Sequence, residues 1–183
     1  MKKNELRKIY KQKRRELSSD AIQQLQGNIY QQIYKLDVAD VKIIHIFLSL
    51  TRFKEIDTSP IINYFRNKNI KILVSKTNFI SNTLSHYYFE KDTIIEVNKY
   101  GVPEPKNATQ VSEKEIDLVF VPLLISDTQN YRVGYGKGFY DRFLANCRKD
   151  CKTIGVNFFK PIAKIEDINE FDVALDLVVY PKE

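Results

Sequence analysis

Cysteine is scarce in this chain of 183 residues, which contains only Cys147 and Cys151. The two thiols lie four positions apart in a segment that predicts a helix, so they would share one face. Two thiols alone make a poor metal site, because structural zinc sites use four protein ligands. We therefore interpret the pair as reduced cysteines of a cytosolic protein.

Long apolar runs, internal repeats and low-complexity linkers are also missing. No segment reaches the roughly 20 apolar residues of a membrane-spanning helix. The start, MKKNELRKIYKQKRREL, is basic but has no apolar stretch behind it, unlike a secretory signal, and Glu5 and Glu16 are unusual for a transit peptide. We expect a cytoplasmic protein, with one domain spanning residues 1–183 and no membrane partner.

Glycine is rare too, with six in the chain, yet half of them stand on alternate positions of one short segment, YRVGYGKGFYDRF: Gly134, Gly136 and Gly138. Glycine allows positive φ angles and lets backbone N–H groups approach a ligand closely, and several N–H groups aimed at one point form an anion site. Lys137 adds a full positive charge, and the helix predicted to follow adds the partial charge of its N-terminus. The segment therefore predicts a phosphate-binding loop.

Asp141 follows the glycines by about one helical turn, where a carboxylate could hold Mg²⁺ against phosphate oxygens. The spacing matches neither the dinucleotide pattern G-x-G-x-x-G nor the P-loop pattern. A tight structural turn that needs glycine dihedrals is the alternative interpretation.

The apolar pattern predicts strands that alternate with helices. Near-continuous runs such as IDLVFVPLLI are typical of strands buried on both faces of a parallel sheet. The fold class that follows is α/β: a single domain with a mostly parallel sheet flanked by helices and a Gly-rich phosphate loop after a central strand. In such sheets ligands bind beyond the carboxyl ends of the strands. Helices are expected over 2–17, 20–36, 58–69 and 139–150, strands over 41–50, 70–76, 83–90, 116–125, 152–158 and 174–180, and a turn-rich loop over 100–105.

The formal charge is +6, and many of the basic residues lie between Lys2 and Arg15 in the first predicted helix, whose apolar side would be Leu6, Ile9, Tyr10 and Leu17. A basic surface suits phosphates, polycarboxylates or nucleic acid. A solvated helix face also explains much of this charge.

The segment from Arg132 to Arg142 resembles the signature R-x-G-x-G-x-G-[FY]-Y-D-R of the 5-formyltetrahydrofolate cyclo-ligase family. Further segments resemble the family in the same order along nearly the whole chain: KNELRK (3–8), FLSLTRFKEIDTSPII (47–62), YGVPEP (100–105), DLVFVPLL (117–124) and FDVALDLVV (171–179). The resemblance implies ring closure of 5-formyltetrahydrofolate to 5,10-methenyltetrahydrofolate, with ATP converted to ADP and phosphate in the presence of Mg²⁺.

The resemblance also implies roles for individual residues. Arg132 and Lys137 would be the catalytic cations. The implied metal ligands are Asp141 and Asp172. Contacts with ATP are implied for Lys3, Arg7, Arg132, Gly134, Tyr135, Gly136, Lys137, Gly138, Phe139 and Tyr140, and contacts with the folate for Leu48, Glu55, Tyr135, Gly136, Lys137, Gly138 and Phe139.

The chain departs from the family pattern at four positions. Leu123 and Asn130 stand where the family commonly has glycine, Phe139 replaces a frequent Tyr, and Phe171 replaces a frequent His. Asn tolerates left-handed dihedrals, so we expect the turn at Asn130 to survive.

Three other functions stay open at this point. The first is an ATP-dependent carbonyl-activating enzyme with a different substrate, the second a basic nucleic-acid-binding module, and the third a nucleotide-binding regulator without turnover. The family resemblance favours the folate enzyme, with no nucleic acid and no obligate protein partner. Its basic N-terminal helix would then attract the anionic tails of polyglutamylated folates.

Overall fold

A central seven-stranded sheet carries the helices in the computed structural model, which describes residues 1–182. The helices are α1 Lys3–Glu16, α2 Ser19–Ile33, α3 Ser59–Asn67 and α4 Phe139–Asn146. The strands are β1 Ile43–His45, β2 Lys71–Asn78, β3 Thr83–Tyr88, β4 Ile94–Val97, β5 Pro103–Lys106, β6 Gln110–Val111, β7 Leu118–Pro122, β8 Ile125–Ser126, β9 Arg132–Val133, β10 Lys152–Val156 and β11 Leu177–Val179. None of these helices combines the length and the apolar character needed to cross a bilayer.

The strand order in the sheet is β11-β10-β7-β1-β2-β3-β6. The five strands from β11 to β2 run parallel, and β3 and β6 add an antiparallel edge. Two further pairs, β4–β5 and β8–β9, form small separate ribbons. The expected α/β fold with a mostly parallel sheet is therefore confirmed.

Alternate residues of the buried strands face opposite layers of the core, as the two-residue period of a strand requires. In β7, Leu118 and Phe120 pack in the layer that contains α2 and α3, whereas Val119 and Val121 pack in the layer that contains α4. Both faces of the sheet are thus covered by helices, which explains the continuous apolar run of this strand.

The first helix does not pack on the sheet directly. Leu6 and Tyr10 are buried against the β8–β9 ribbon, at Ile125 and Val133. Ile9, which the sequence placed on the apolar side, is 37% exposed. As a result, α1 lies beside the segment that follows β9, which is the glycine loop.

Several predicted bounds differ from the observed ones: the strand expected over 116–125 is divided into β7 and β8, and the strand expected over 174–180 is shorter. Two further differences have identifiable reasons. The strand expected over 41–50 ends at His45. The Ile46 N–H still donates to the Leu73 carbonyl, but side chains then supply the partners: Thr58 Oγ1 donates to the Phe47 carbonyl, and the Leu50 N–H donates to Glu55. The loop expected over 100–105 contains β5, which pairs with β4 outside the main sheet and tolerates its two prolines there.

The helix predicted over 139–150 ends at Asn146, so the two cysteines do not share a helix face. Cys147 is the C-cap residue, and Cys151 lies beyond a turn in which its N–H donates to the Arg148 carbonyl. Both thiols are free.

Replacing Gly155 with alanine is expected to destabilise the fold by about 1–3 kcal/mol, the usual cost of overfilling a packed core. A Cβ at this position would lie 2.6 Å from Leu123 Cδ2 and 2.7 Å from Leu175 Cδ1. Urea unfolding of the variant measures the loss. Gly27→Ala in α2 is the matched control: nothing lies within 4 Å of its added Cβ, so it should stabilise by about 0.5–1 kcal/mol. Equal effects of the two substitutions would contradict the packing argument.

Candidate active site

One large cavity, about 1010 Å³ in volume, lies beyond the carboxyl ends of β1, β2 and β7. This is the location that an open α/β sheet favours for a ligand. All of the residues for which the sequence predicted a catalytic, binding or metal role lie on its wall: Lys3, Arg7, Leu48, Glu55, Arg132, Gly134, Tyr135, Gly136, Lys137, Gly138, Phe139, Tyr140, Asp141 and Asp172. They come from segments far apart in the sequence, so the fold assembles one site from them.

The glycine loop needs glycine at two of its three positions. Gly136 has a φ of +97° and Gly138 a φ of +69°, in the region that side chains rarely adopt. A Cβ on Gly136 would also lie 3.1 Å from the guanidinium carbon of Arg7. Gly134 has open space around its Cβ position, and its carbonyl accepts a hydrogen bond from Arg7 Nε at 2.9 Å. Arg7 therefore connects α1 to the loop, through a hydrogen bond to Gly134 and close contact with Gly136.

The N-terminus of α4 opens directly onto the loop. Gly138 is the N-cap residue, and it has no side chain to accept hydrogen bonds from the first turn. The first N–H groups of a helix have no partner within it, and they carry partial positive charge. This end of the cavity can therefore stabilise an anion.

A left-handed residue also precedes the loop. Asn130 has a φ of +63°, its N–H donates to the Asp127 carbonyl, and Asp127 Oδ1 accepts the N–H of Tyr131. Asn130 therefore keeps the turn in a left-handed conformation, as the sequence predicted.

Two of the basic side chains near the loop are paired with carboxylates, and a third is not. Arg132 is 9% exposed and donates to the Val173 carbonyl at 2.6 Å and to Asp141 Oδ1 at 2.7 Å. Lys3 Nζ lies 2.5 Å from Asp172 Oδ2. Lys137, in contrast, is exposed, and no ion pair among residues 1–182 includes it. Its ammonium group is the cation of the loop that an incoming anion can use.

Burial lowers the pKa of Arg132, while Asp141 and Asp172 act in the opposite direction. Both carboxylates therefore lie close enough to one guanidinium to affect it. Residues 1–182 contain no cluster of three or more His, Cys, Asp or Glu side chains that could hold a metal ion by themselves.

A carboxylate, Glu55, also lies on the cavity wall. Glu55 accepts a hydrogen bond from Tyr135 Oη at 2.6 Å and one from the Leu50 N–H at 2.8 Å. Burial raises the pKa of the Glu55 carboxyl, and these two hydrogen bonds, together with the charges of Arg14 and Arg52, oppose that change. The group is a hydrogen-bond acceptor held at a fixed place on the wall.

Aromatic rings form the rest of this wall. Phe53 and Tyr135 have ring centroids 5.4 Å apart. Phe79 packs on Tyr100 at 4.1 Å and, edge to face, on Phe139 at 5.7 Å. A flat, hydrogen-bonding heterocycle would find stacking surfaces and an acceptor here, next to the anion site at the loop.

Sequence reasoning missed some residues that shape this site. Arg14, Arg52, Phe53 and Phe79 received no role, although Arg14 bonds to Tyr135 and the other three line the cavity. The sequence did contain one indication that Arg14 is buried. Arg14 continues the four-residue spacing of Leu6 and Tyr10 on the buried side of α1.

Comparison with protein-family models matches residues 1–181 to the 5-formyltetrahydrofolate cyclo-ligase family. The chain is 34% identical over 74 residues to a 5-formyltetrahydrofolate cyclo-ligase of Mycoplasma genitalium, covering 40% of this chain and 44% of that protein. It is 35% identical over 96 residues to the enzyme of the same name from Haemophilus influenzae, covering 50% and 51%. These alignments span about half the length of the two curated relatives.

The NMR structure of an Aquifex aeolicus 5,10-methenyltetrahydrofolate synthetase has a similar fold, with a TM-score of 0.84 and 25% sequence identity. The match covers 100% of this chain and 91% of that one. The similarity of fold therefore extends over the whole chain.

Proposed function

Since the chain belongs to the 5-formyltetrahydrofolate cyclo-ligase family, we propose that it closes the ring of 5-formyltetrahydrofolate to give 5,10-methenyltetrahydrofolate at the expense of ATP. One observation carries the proposal: a single cavity combines the glycine loop, which can stabilise an anion, with a carboxylate and aromatic rings. The loop suits the phosphates of ATP. The carboxylate and rings suit a pterin, which is flat and carries N–H donors.

The chemistry requires activation, because a formamide oxygen is a poor leaving group. In the proposed first step the formyl oxygen attacks the γ-phosphorus of ATP, the bond to the β-phosphate oxygen breaks, and ADP leaves. In the second step N10 attacks the formyl carbon, the carbon–oxygen bond to the phosphate breaks, and phosphate and the N10 proton depart. Neither step needs a nucleophilic side chain, so the protein acts by positioning its substrates and neutralising charge.

The loop supplies that neutralisation in our proposal. Lys137 would approach the transferring phosphoryl group, and the N-terminus of α4 would stabilise the neighbouring phosphate oxygens. Arg7 and Lys3 reach the same cavity from one face of α1, where they lie four residues apart. Arg132 borders the cavity and also holds Asp141 in place.

Glu55 would bind the folate in this scheme. An ionised carboxylate accepts hydrogen bonds from the ring N–H and amino groups of a pterin. Leu48 and the segment from Tyr135 to Phe139 would line the same subsite.

Asp141 and Asp172 fit a magnesium ion that is bound mainly through phosphates. Mg²⁺ in such sites takes only one or two protein carboxylates, with substrate phosphates and water as its other ligands. Both carboxylates face the cavity, next to Arg132 and Lys3. When bound, the ion would offset the negative charge of the phosphates.

The test is a direct assay of the purified protein with 5-formyltetrahydrofolate and MgATP, following the near-ultraviolet absorbance of methenyltetrahydrofolate. We expect product that depends on ATP. Binding of ATP without product would contradict the assignment of the substrate, and another carbonyl compound would then have to be sought. RNA binding that weakens steeply with salt would favour a nucleic-acid module instead.

A polyglutamylated substrate is expected to have a lower KM than the monoglutamate, because cations extend from the cavity along α1. Lys11 is exposed, and its Nζ lies 5.5 Å from the centroid of the Tyr135 ring. Steady-state kinetics with both substrates should show a difference that shrinks as salt rises. Lys11→Ala should reduce it, whereas Lys13→Ala, on the opposite side of the helix, should leave it unchanged. Equal KM values for both tails would contradict the idea.

A further inference from the structure

Arg14 is a buried cation without a direct carboxylate partner. It is 4% exposed, and no ion pair among residues 1–182 contains it. Its Nη2 donates to the Leu123 carbonyl at 2.5 Å, and its Nη1 donates to Tyr135 Oη at 3.1 Å. Its Nε has no hydrogen-bond partner in the described part of the chain. Burying such a charge is costly, so the arrangement requires a reason beyond packing.

The hydrogen bonds from Arg14 lead to Glu55. Because an Arg14 N–H occupies a lone pair of Tyr135 Oη, the single hydroxyl hydrogen is free to point at the carboxylate, where Oε1 accepts it at 2.6 Å. A tyrosine that accepts from a cation is also a stronger donor, since chains of hydrogen bonds polarise one another.

Each carboxylate oxygen of Glu55 accepts one hydrogen bond from the protein. Oε1 accepts one protein hydrogen bond, from Tyr135, and Oε2 accepts one, from the Leu50 N–H. Each oxygen of an ionised carboxylate can accept two, so one acceptor site on each oxygen is left over. Glu55 lies on the cavity wall. Two neighbouring acceptors are thus available to a ligand.

We infer that Arg14 is a positioning residue for the substrate, which keeps Glu55 ionised and oriented through Tyr135 so that the cavity selects a heterocycle with two adjacent N–H donors. This inference rests on the proposed function, in which the pterin ring is that heterocycle. Arg14 does not line the cavity and has no direct contact with a ligand in this scheme.

Two opposing effects act on the Glu55 carboxyl, and Arg14 belongs to the one that favours the ionised form. Burial raises the pKa of Glu55, and the bonds from Tyr135 and Leu50 and the charges of Arg14 and Arg52 lower it. Tyr140 also lies near enough to interact with the carboxylate, and its own pKa is raised chiefly by burial. Without Arg14, burial would be opposed less strongly. A protonated Glu55 would then present a donor where the ligand needs an acceptor.

The test is Arg14→Gln in the full chain. We expect KM for 5-formyltetrahydrofolate to rise by about tenfold, the effect of losing a hydrogen bond to a charged group, while KM for ATP changes little. The acid limb of kcat/KM should move to higher pH. Arg14→Lys, which keeps the charge, should restore the position of that limb. Arg15→Gln, at an exposed position beside it, is the matched control and should behave as the wild type.

A merely structural role for Arg14 predicts a different pattern. The variant would then lose stability in urea and raise both KM values, with the acid limb unmoved, and that result would overturn the inference. Failure of the proposed function would show up separately, as a wild-type protein that makes no methenyltetrahydrofolate. The link from Arg14 to Glu55 would in that case be tested by NMR titration of the Glu55 carboxyl in both chains, and an unchanged pKa would refute it.

Discussion

Lys137→Ala is expected to lower kcat for methenyltetrahydrofolate formation by about 100-fold or more, the usual consequence of removing one group that stabilises transition-state charge. Lys137 is the exposed cation between Gly136 and Gly138, and no ion pair in residues 1–182 engages it. Its charge is therefore available to the phosphoryl group that is transferred in the proposed reaction. KM for the folate should change far less than kcat, since Glu55, and not Lys137, would accept the hydrogen bonds of the pterin.

The matched control is Lys149→Ala. Lys149 is also exposed and lies beyond the other end of α4, outside the cavity wall. The two variants lose the same charge from the surface, so they should unfold at the same urea concentration and differ only in turnover. A kcat for Lys137→Ala within about twofold of the wild type would remove this residue from the proposed mechanism.

Local chemistry explains why the glycine loop could be predicted from the sequence. Alternating glycines favour a backbone that needs positive φ, and two of the three adopt it. Phosphate binding by the loop stays a prediction. The apolar runs likewise identified the buried strands. The ends of the strands were harder to predict. The end of β1, for example, depends on Thr58 and Glu55, whose side chains contact the backbone across a turn.

The supporting residues of the site could not be found in the same way. Arg14 and Arg15 are neighbours in a basic helix, and composition treats them alike. The four-residue spacing from Leu6 and Tyr10 places Arg14 on the buried side of α1, but its hydrogen bonds to Leu123 and Tyr135 depend on how α1 packs against distant segments. Gly155 is a similar case, since Leu123 and Leu175 fill the space beside it and come from distant segments.

The two histidines of the chain are the clearest example of information that the fold adds. His45 and His86 lie 0% and 2% exposed on β1 and β3, and Ser75 on β2 joins them: its Oγ is 2.7 Å from His45 Nε2 and 3.2 Å from His86 Nδ1. Phe143 packs against both rings. The contact depends on the register of three strands, which the sequence does not specify.

This pair is expected to make the protein lose stability as pH falls from about 6.5 to about 4. Burial lowers the pKa of His86 to about 4, and it also lowers the pKa of His45, with the neighbouring His86 adding to the effect. The unfolded chain binds protons at pH values where the folded protein does not, so acid favours unfolding. For His86 alone the loss is about 3 kcal/mol, complete near its folded pKa.

Urea unfolding of the wild type and of His86→Phe at pH 7 and pH 4.5 measures this contribution. The variant keeps an aromatic ring against Phe143 but has one fewer group to protonate, so its free energy of unfolding should fall less between the two pH values. Glu55, whose pKa burial raises, changes stability in the opposite direction, but both chains contain it and it cancels in the comparison. Imidazole NMR signals provide an independent check, because the chain has only two histidines and both should titrate below the usual pKa of 6.5. Parallel losses in the two chains, or a signal that titrates near 6.5, would mean that the buried pair does not govern the response to acid.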